Sequence, residues 1–258
     1  RQEGREGGWI ELDMSDYAGQ AVDLYCECAG ITKGALGSAP TPFLPDTSWK
    51  QEEDETPGVL AKSAARLLMK DLWLARLARP DLSKAIVDLA THMQKWTKTC
   101  DKRVKRLSHY LNATSSYTLQ AWCFDKPEDL NLLLFVDADF GGDRDDPKST
   151  SGGWIVLAGP TTWVPLVWVC KRQSCTSRST TEAEVVALAV SLFQEAIPMV
   201  ELFSTILQRP IDLYILEDNQ ATIKVVKKGY SPKLRHLQRT QKINISSIKE
   251  VIIEDHIF

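Results

Sequence analysis

The chain has 258 residues, of which 43% are apolar and 25% charged, with 31 Lys plus Arg against 34 Asp plus Glu. These are ordinary globular values, and they exclude collagen-like, mucin-like and disordered chains. Unbroken apolar runs such as Leu132–Val136 fall far short of the roughly 20 residues that span a bilayer, and no N-terminal stretch reads as a signal peptide, so no membrane is expected as a partner.

The net charge of −3 is unevenly spread. Residues 1–60 hold 4 basic and 12 acidic side chains, residues 61–120 hold 12 and 4, and Lys224 to Lys249 carries 8 basic side chains and no acidic one. An overall charge near zero therefore leaves room for a polyanionic partner. Chain order begins with a helix that Ser15 could cap, running through Tyr25 to end near Gly30. The prolines of Ala39–Pro45 exclude regular structure, and Gln51–Glu55 reads as solvated, so 38–57 is expected to be a linker. From Val59 the period becomes helical, with Leu60, Ala64, Leu67, Leu68, Leu72 and Ala75 on one face. Arg79-Pro-Asp-Leu breaks that helix and Pro80 or Asp81 starts a second, burying Ile86, Leu89, Met93 and Trp96. A third turns Val104, Leu107, Tyr110 and Leu111 inward and Lys98, Lys102, Arg103, Lys105 and Arg106 outward.

Beyond Ala113 the texture changes to strands. Leu132–Val136 is an unalternated apolar run, expected of a strand buried on both faces. Gly153–Leu157 and Trp163–Val169 follow it in a meander. Ser179 to Leu207 reads as a long helix with Val185, Leu188, Leu192, Ala196, Met199 and Phe203 on its core stripe, kinked or split at Pro198. Ile211–Leu216 is a further strand, Asn219–Lys228 a short helix, Leu234–Glu250 a longer basic helix and Val251–Phe258 a last strand. The expected fold class is α/β, ordered β-β-β-α-β-α-α-β from residue 130 and preceded by a helical subdomain.

Three carboxylates stand where chemistry is plausible. Asp137 ends the apolar strand, Asp218 ends the strand Ile211–Leu216, and Glu184 lies in the first turns of the helix between them. Clustered carboxylates repel, and a hard divalent cation is the usual reason for bringing them together. An oxygen-only set favours Mg²⁺ or Mn²⁺ over zinc. The same residues have simpler readings: Asp137-Ala-Asp139 with Gly141-Gly142 as turn chemistry, and Asp218 as the cap of the helix beginning at Asn219. Glu182 is assigned to structure, because Ser179-Thr-Thr-Glu182 has the form of a capping box. The eight tryptophans (Trp9, Trp49, Trp73, Trp96, Trp122, Trp154, Trp163 and Trp168) read as core and interface. The six cysteines form no zinc or disulfide framework and suggest reduced thiols.

Several motifs, in order, resemble the ribonuclease H domain of copia-type retrotransposon Pol polyproteins. They are Phe135-Val-Asp-Ala-Asp-Phe-Gly-Gly-Asp143, Lys148-Ser-Thr-Ser-Gly152, Lys171-Arg-Gln173, Ser179-Thr-Thr-Glu-Ala-Glu184 and Glu217-Asp-Asn-Gln220. Upstream, Leu77-Ala-Arg-Pro-Asp-Leu82 and Lys105-Arg-Leu-Ser-His-Tyr-Leu111 resemble that family's connection region, and Thr41–Pro45 resembles the tail of its polymerase region. The resemblance implies a ribonuclease H-like mixed sheet over 125–258, a helical connection over 58–124, and a reverse transcriptase palm tail and linker over 1–57. It implies hydrolysis of the RNA strand of RNA–DNA hybrids by a two-metal mechanism, with Asp137, Glu184 and Asp218 as the catalytic and metal-binding carboxylates. Lys102, Arg103, Arg106, Lys171, Arg172, Asn219, Gln220, Arg235 and His236 are the expected nucleic-acid contacts, salt-dependent where they meet phosphates. The expected partners are nucleic acid and the rest of a reverse transcriptase, inside the cell and in virus-like particles.

Three departures from the family pattern shape the expectation. The family's last carboxylate lies in an Ala-Asp-x-x-Thr-Lys segment that the chain does not contain, so the domain is expected to be C-terminally incomplete. The start at Arg1 likewise suggests a segment cut from something longer. The family's Lys-His-Ile-Asp stands here as Arg235-His-Leu-Gln238, and the paired aspartates of a polymerase are absent, so no polymerase activity is expected. The alternative is a catalytically impaired nucleic-acid-binding or assembly module on the same fold. An integrase-like transferase is disfavoured, since its acids run Asp, Asp, Glu, whereas here Glu184 stands between two aspartates.

Overall fold

The computed structural model describes residues 7–44, 48, 51–141 and 147–258. Pro45, Trp49, Gly142 and Asp143 lie outside the described residues, as does part of the expected linker. The chain divides into two units. One is Glu11–Gln120, and the other is Ala121–Phe258 with the described part of Arg1–Ile10.

In the first unit, α1 (Ser15–Ala29) begins after Asp13, whose Oδ1 accepts the Ser15 N–H at 2.8 Å. Ser15 is thus the first helical residue and not the cap. Gly30 closes the helix in the left-handed conformation that glycine adopts without strain. The acidic stretch expected to be solvated forms a short helix, α2 (Gln51–Glu55), because Glu53 has cations to meet on a later helix. In α3 (Ala64–Leu77) the expected Ala64, Leu67, Leu68 and Ala75 are buried with Leu74, Leu60 is buried just before the helix, and Leu72 is only half-buried. Arg79-Pro-Asp breaks the helix as expected. Arg79 is buried there, donating to the Thr114 carbonyl at 2.7 Å and pairing with Asp81 at 2.7 Å, which offsets the cost of a buried charge. A 3₁₀ turn then leads into α4 (Ser83–Thr91), and Thr97 caps α5 (Lys98–Ala113). Leu24 and Tyr25 share one hydrophobic cluster with Leu67, Ile86 and Leu107. The expected segment boundary at 57/58 therefore coincides with no break in the packing.

The second unit holds most of a six-stranded mixed sheet in the order β1-β2-β5-β4-β3-β6. The strands are β1 (Gly8–Leu12), β2 (Leu119–Cys123), β3 (Asn131–Asp139), β4 (Thr150–Gly159), β5 (Thr162–Arg172) and β6 (Leu213–Leu216). β6 runs parallel to β3, and the β2–β5, β5–β4 and β4–β3 pairs are antiparallel. β1 and β2 are additions to the strands expected from the sequence. Each has five residues.

The expectation that β3 is buried on both faces is corrected. Leu132, Leu134 and Val136 are buried, whereas Leu133 is half-buried and Phe135 exposed. The face of Leu132 and Leu134 shares a hydrophobic cluster with the helix Thr180–Ser191. On the other, Phe135 lies beside Trp154 in register, and Trp154 stacks on Trp168 with ring centroids 5.4 Å apart. An apolar run without alternation reads as two-sided burial, but here its second face is aromatic and half-open.

α6 (Thr180–Ser191) packs on β3 and β4. A π-helical turn over Leu192–Ala196 joins it to α7 (Ile197–Leu207), whose second residue is Pro198. The missing proline N–H thus falls where one hydrogen bond is already displaced, so the helix is split as expected. Thr180–Leu207 is, among the described residues, the one helical stretch long and apolar enough to cross a membrane, with 44% of its most apolar window buried within the fold.

α8 (Gln220–Lys228) follows β6. The single basic helix expected over 234–250 is two, α9 (Leu237–Thr240) and α10 (Ile245–Ile252). Lys242 takes a left-handed φ of 59°, and the Asn244 side chain accepts the Ser246 N–H at 3.1 Å to start α10 afresh. The last strand is corrected too. Val251 and Ile252 finish α10, and pairing is limited to the final residues, where the Phe258 N–H donates to the Leu213 carbonyl at 2.9 Å.

Candidate metal centre

Parallel pairing of β3 with β6 sets Phe135 opposite Leu216. Two residues further along each strand direction stand Asp137 and Asp218, so register alone brings these carboxylates to one end of the sheet. Glu184 comes from α6. The ligand-capable oxygens of Asp137, Glu184 and Asp218 all lie within 4.8 Å of one another.

Two contacts set the start of α6. Gln173, buried after β5, donates to the Ala183 carbonyl at 2.9 Å and to Ser151 Oγ at 3.0 Å, tying the helix to the sheet. Ser179 Oγ accepts the Glu182 N–H at 3.2 Å, as a capping box requires. The reciprocal bond differs from the expectation, because Glu182 Oε2 accepts from the N–H of Arg178, one residue earlier, at 3.0 Å. Glu182 Oε1 lies 2.9 Å from His236 Nε2, and the Glu182 side chain is almost wholly enclosed. Nothing local announces this pair, since the two residues are 54 positions apart.

The environments of the acids differ. Asp137 and Asp218 are exposed, while Glu184 is only 6% exposed. Burial, then the charges of Glu217, Asp137 and Asp218, push Glu184 up to about 8, against the pull of the Ala138 backbone N–H. Its Oε2 is buried and has no hydrogen-bond partner among the described residues. A buried orphan oxygen facing two further carboxylates is costly unless a cation completes it. The donor set is all oxygen, as Mg²⁺ and Mn²⁺ require, so the residues present fit such an ion.

Sequence reasoning did not single out Glu217. Burial raises it to about 6, with the Asn219 N–H pulling down and Asp218 and Asp137 pushing up. The reading of Asp218 as the cap of α8 is corrected, since Asn219 Oδ1 accepts the N–H groups of Ala221 and Thr222 at 3.0 and 3.1 Å. Asn219, expected at nucleic acid, therefore has a structural task, and Gln220 is exposed beside it.

The remaining expected contacts fall into two sets. On α5, Lys102 pairs with Glu53 at 2.6 Å, Arg103 lies 3.2 Å from His92, and Arg106 donates to the Thr41 carbonyl at 2.9 Å. These cations are engaged within their own unit. In the second unit, Lys171 is exposed and Arg172 half-buried at the end of β5, and Arg235 donates to the Tyr230 hydroxyl. Lys224, Lys227, Lys228, Lys233, Arg239 and Lys242 are exposed and form no ion pair among the described residues.

Fold and site define a mixed α/β protein with a three-carboxylate cluster where two parallel strands end. No family model matches the chain. It is 34% identical over 124 residues, 48% of its length, to the retrovirus-related Pol polyprotein from transposon RE1 of Arabidopsis thaliana, of which this is 8%. It is 27% identical over 185 residues, 71% of its length, to the retrovirus-related Pol polyprotein from transposon TNT 1-94 of Nicotiana tabacum, of which this is 13%. A shorter relative, the secreted RxLR effector protein 161 of Plasmopara viticola, is 32% identical over 126 residues, 49% of this chain and 83% of that protein. The chain is thus similar, over part of its length, to a short segment of retrovirus-related Pol polyproteins from transposons.

Proposed function

We propose that the second unit is a ribonuclease H-like domain that hydrolyses the RNA strand of RNA–DNA hybrids with Mg²⁺ or Mn²⁺, as one part of a retrotransposon Pol polyprotein. The observation that carries the reading is the convergence of Asp137, Glu184 and Asp218 within 4.8 Å, with a buried, unpartnered oxygen on Glu184.

Asp137, Glu184 and Asp218 would hold the cation. Bound there, it supplies a more acidic water as nucleophile and compensates charge on the leaving oxygen. The exposed pair, Asp137 and Asp218, faces the side open to a phosphodiester, and the enclosed Glu184 is the fixed ligand that orients the centre from α6. Gln173 and Glu182 hold the start of that helix. The exposed cations over 224–242 would follow the nucleic-acid backbone. The other polyprotein segments, a reverse transcriptase among them, would be its partners. A reducing, intracellular setting, in which the cysteine thiols would persist, completes the proposal.

Cleavage of an end-labelled RNA–DNA hybrid with Mg²⁺ tests the proposal. The wild type should cut the RNA strand, and Asp137→Asn should lose at least about two orders of magnitude in rate, the scale on which removal of one charge-stabilising group acts. Equal rates in the two proteins would sink the assigned site. Salt-sensitive binding without cleavage by the wild type would replace the enzyme with a binding module.

A further inference from the structure

We propose that the outer face of α3, with α1 beside it, is a self-complementary surface on which a second copy of this chain docks. The inference concerns the first unit and is independent of the metal centre. It starts from an exposed apolar ridge with cations on its own helix and acids on the neighbouring one.

The inner side of α3 buries Leu67, Leu68, Asp71 and Leu74. Its outer side presents Ala65, Arg66, Met69, Trp73, Arg76 and Leu77 to solvent. Met69 is 60% exposed, Trp73 56% and Leu77 42%, and the three stand at four-residue steps in a single row. Exposed apolar residues scattered singly are ordinary. A continuous row at this spacing is the ridge that one helix seats in the groove of another, and an apolar patch rimmed by charge marks a contact surface.

The charges around the ridge divide by helix. Lys62, Arg66 and Arg76 are exposed on α3 and the turn before it, whereas Asp16, Asp23 and Glu27 are exposed along α1. The two helices run antiparallel. Arg66 pairs with Glu27 at 3.6 Å, while Lys70 donates to Gln20 at 3.3 Å and lies 4.2 Å from the centre of the Tyr17 ring. The Asp16 end of α1 is therefore directed toward the C-terminal half of α3, away from Arg66.

That polarity suits a two-fold axis, which makes each contact twice. With the axis at Trp73, Met69 of one copy meets Leu77 of the other, and each Arg66 end faces the other copy's Asp16 end. Asp16 forms no ion pair among the described residues, and the Arg66–Glu27 pair is long and exposed, so both ends can take the new contact. Exposed ion pairs add little affinity, so the ridge supplies the binding and the charges fix the orientation. Nucleic acid suits this face less well, because the acids of α1 would repel phosphate beside it.

The experiment is sedimentation velocity of the whole chain over a range of concentrations, without metal or nucleic acid. The wild type should pass from monomer to dimer as concentration rises. Trp73→Ala should weaken the dimer at least about thirtyfold, the loss that follows removal of an aromatic side chain at the centre of an interface. Arg66→Glu should weaken it as well, and adding Asp16→Arg to Arg66→Glu should restore it, a rescue that a folding defect would not give. A wild type that stays monomeric, or a dimer that Trp73→Ala leaves unchanged, overturns the inference. Failure of Asp16→Arg to rescue Arg66→Glu overturns the two-fold pairing. A monomer whose binding to an RNA–DNA hybrid falls on Trp73→Ala would assign the face to nucleic acid instead.

Discussion

Glu182 and Glu184 lie two residues apart on α6 and do different work. Glu184 is enclosed with an orphan oxygen, whereas both Glu182 oxygens are satisfied, one by the Arg178 N–H and one by His236. The sequence assigned these roles in outline, because a capping box accounts for Glu182 and leaves Glu184 over. It could not supply His236, which a helical pattern leaves as an ordinary polar residue and the family resemblance assigns to nucleic acid. Replacing His236 by Ala should strand Glu182 Oε1 in an enclosed site and cost about 1–3 kcal/mol in urea unfolding. His236→Gln, which can still donate, should recover part of that loss. If Ala and Gln both unfold at the wild-type midpoint, the contact has no weight in stability.

At the scale of elements, the site depends on how closely α6 lies on the sheet. A Cβ at Gly153 on β4 would collide with Ser191 Oγ on α6 and stand 3.0 Å from Ser191 Cβ. Glycine is required there by helix–sheet approach and not by backbone conformation. Gly153→Ala should destabilise by about 1–3 kcal/mol through overpacking, and adding Ser191→Gly should relieve most of it. A double-mutant cycle measures the coupling. Additive effects would mean that the two residues do not set the helix–sheet distance. Helices α3, α4, α5 and α6 were legible from apolar spacing, which is a local property. The break between α9 and α10 was not, because a left-handed Lys242 and an Asn244 cap interrupt a stretch whose composition still favours helix.

Across the whole molecule, the basic residues separate into engaged and free sets. The α5 cations that the sequence counted as a nucleic-acid face meet Glu53, His92 and Thr41, while those over 224–242 stand exposed. Neutralising Lys227, Lys228 and Arg239 together should flatten the salt dependence of hybrid binding, by about one unit of slope for each phosphate that no longer meets a cation. Neutralising Lys102 and Arg103 should change it little and lower stability instead. The reverse pattern, read by fluorescence anisotropy at several ionic strengths, would return the footprint to α5.

The sequence by itself pointed to an α/β class, to the three carboxylates that stand together in the fold, and to Glu182 as a capping residue. Each of these is written in local periodicity or in motifs whose spacing survives in one dimension. Only the tertiary structure decided which neighbours those residues meet. Parallel register brings Asp137 beside Asp218, α6 swings Glu184 between them, and burial leaves one oxygen without a partner on Glu184 and on Glu217. Long-range contact and enclosure are properties of the packed chain. The same holds for charge, since an excess of lysine and arginine in sequence says nothing about which of them already have a partner.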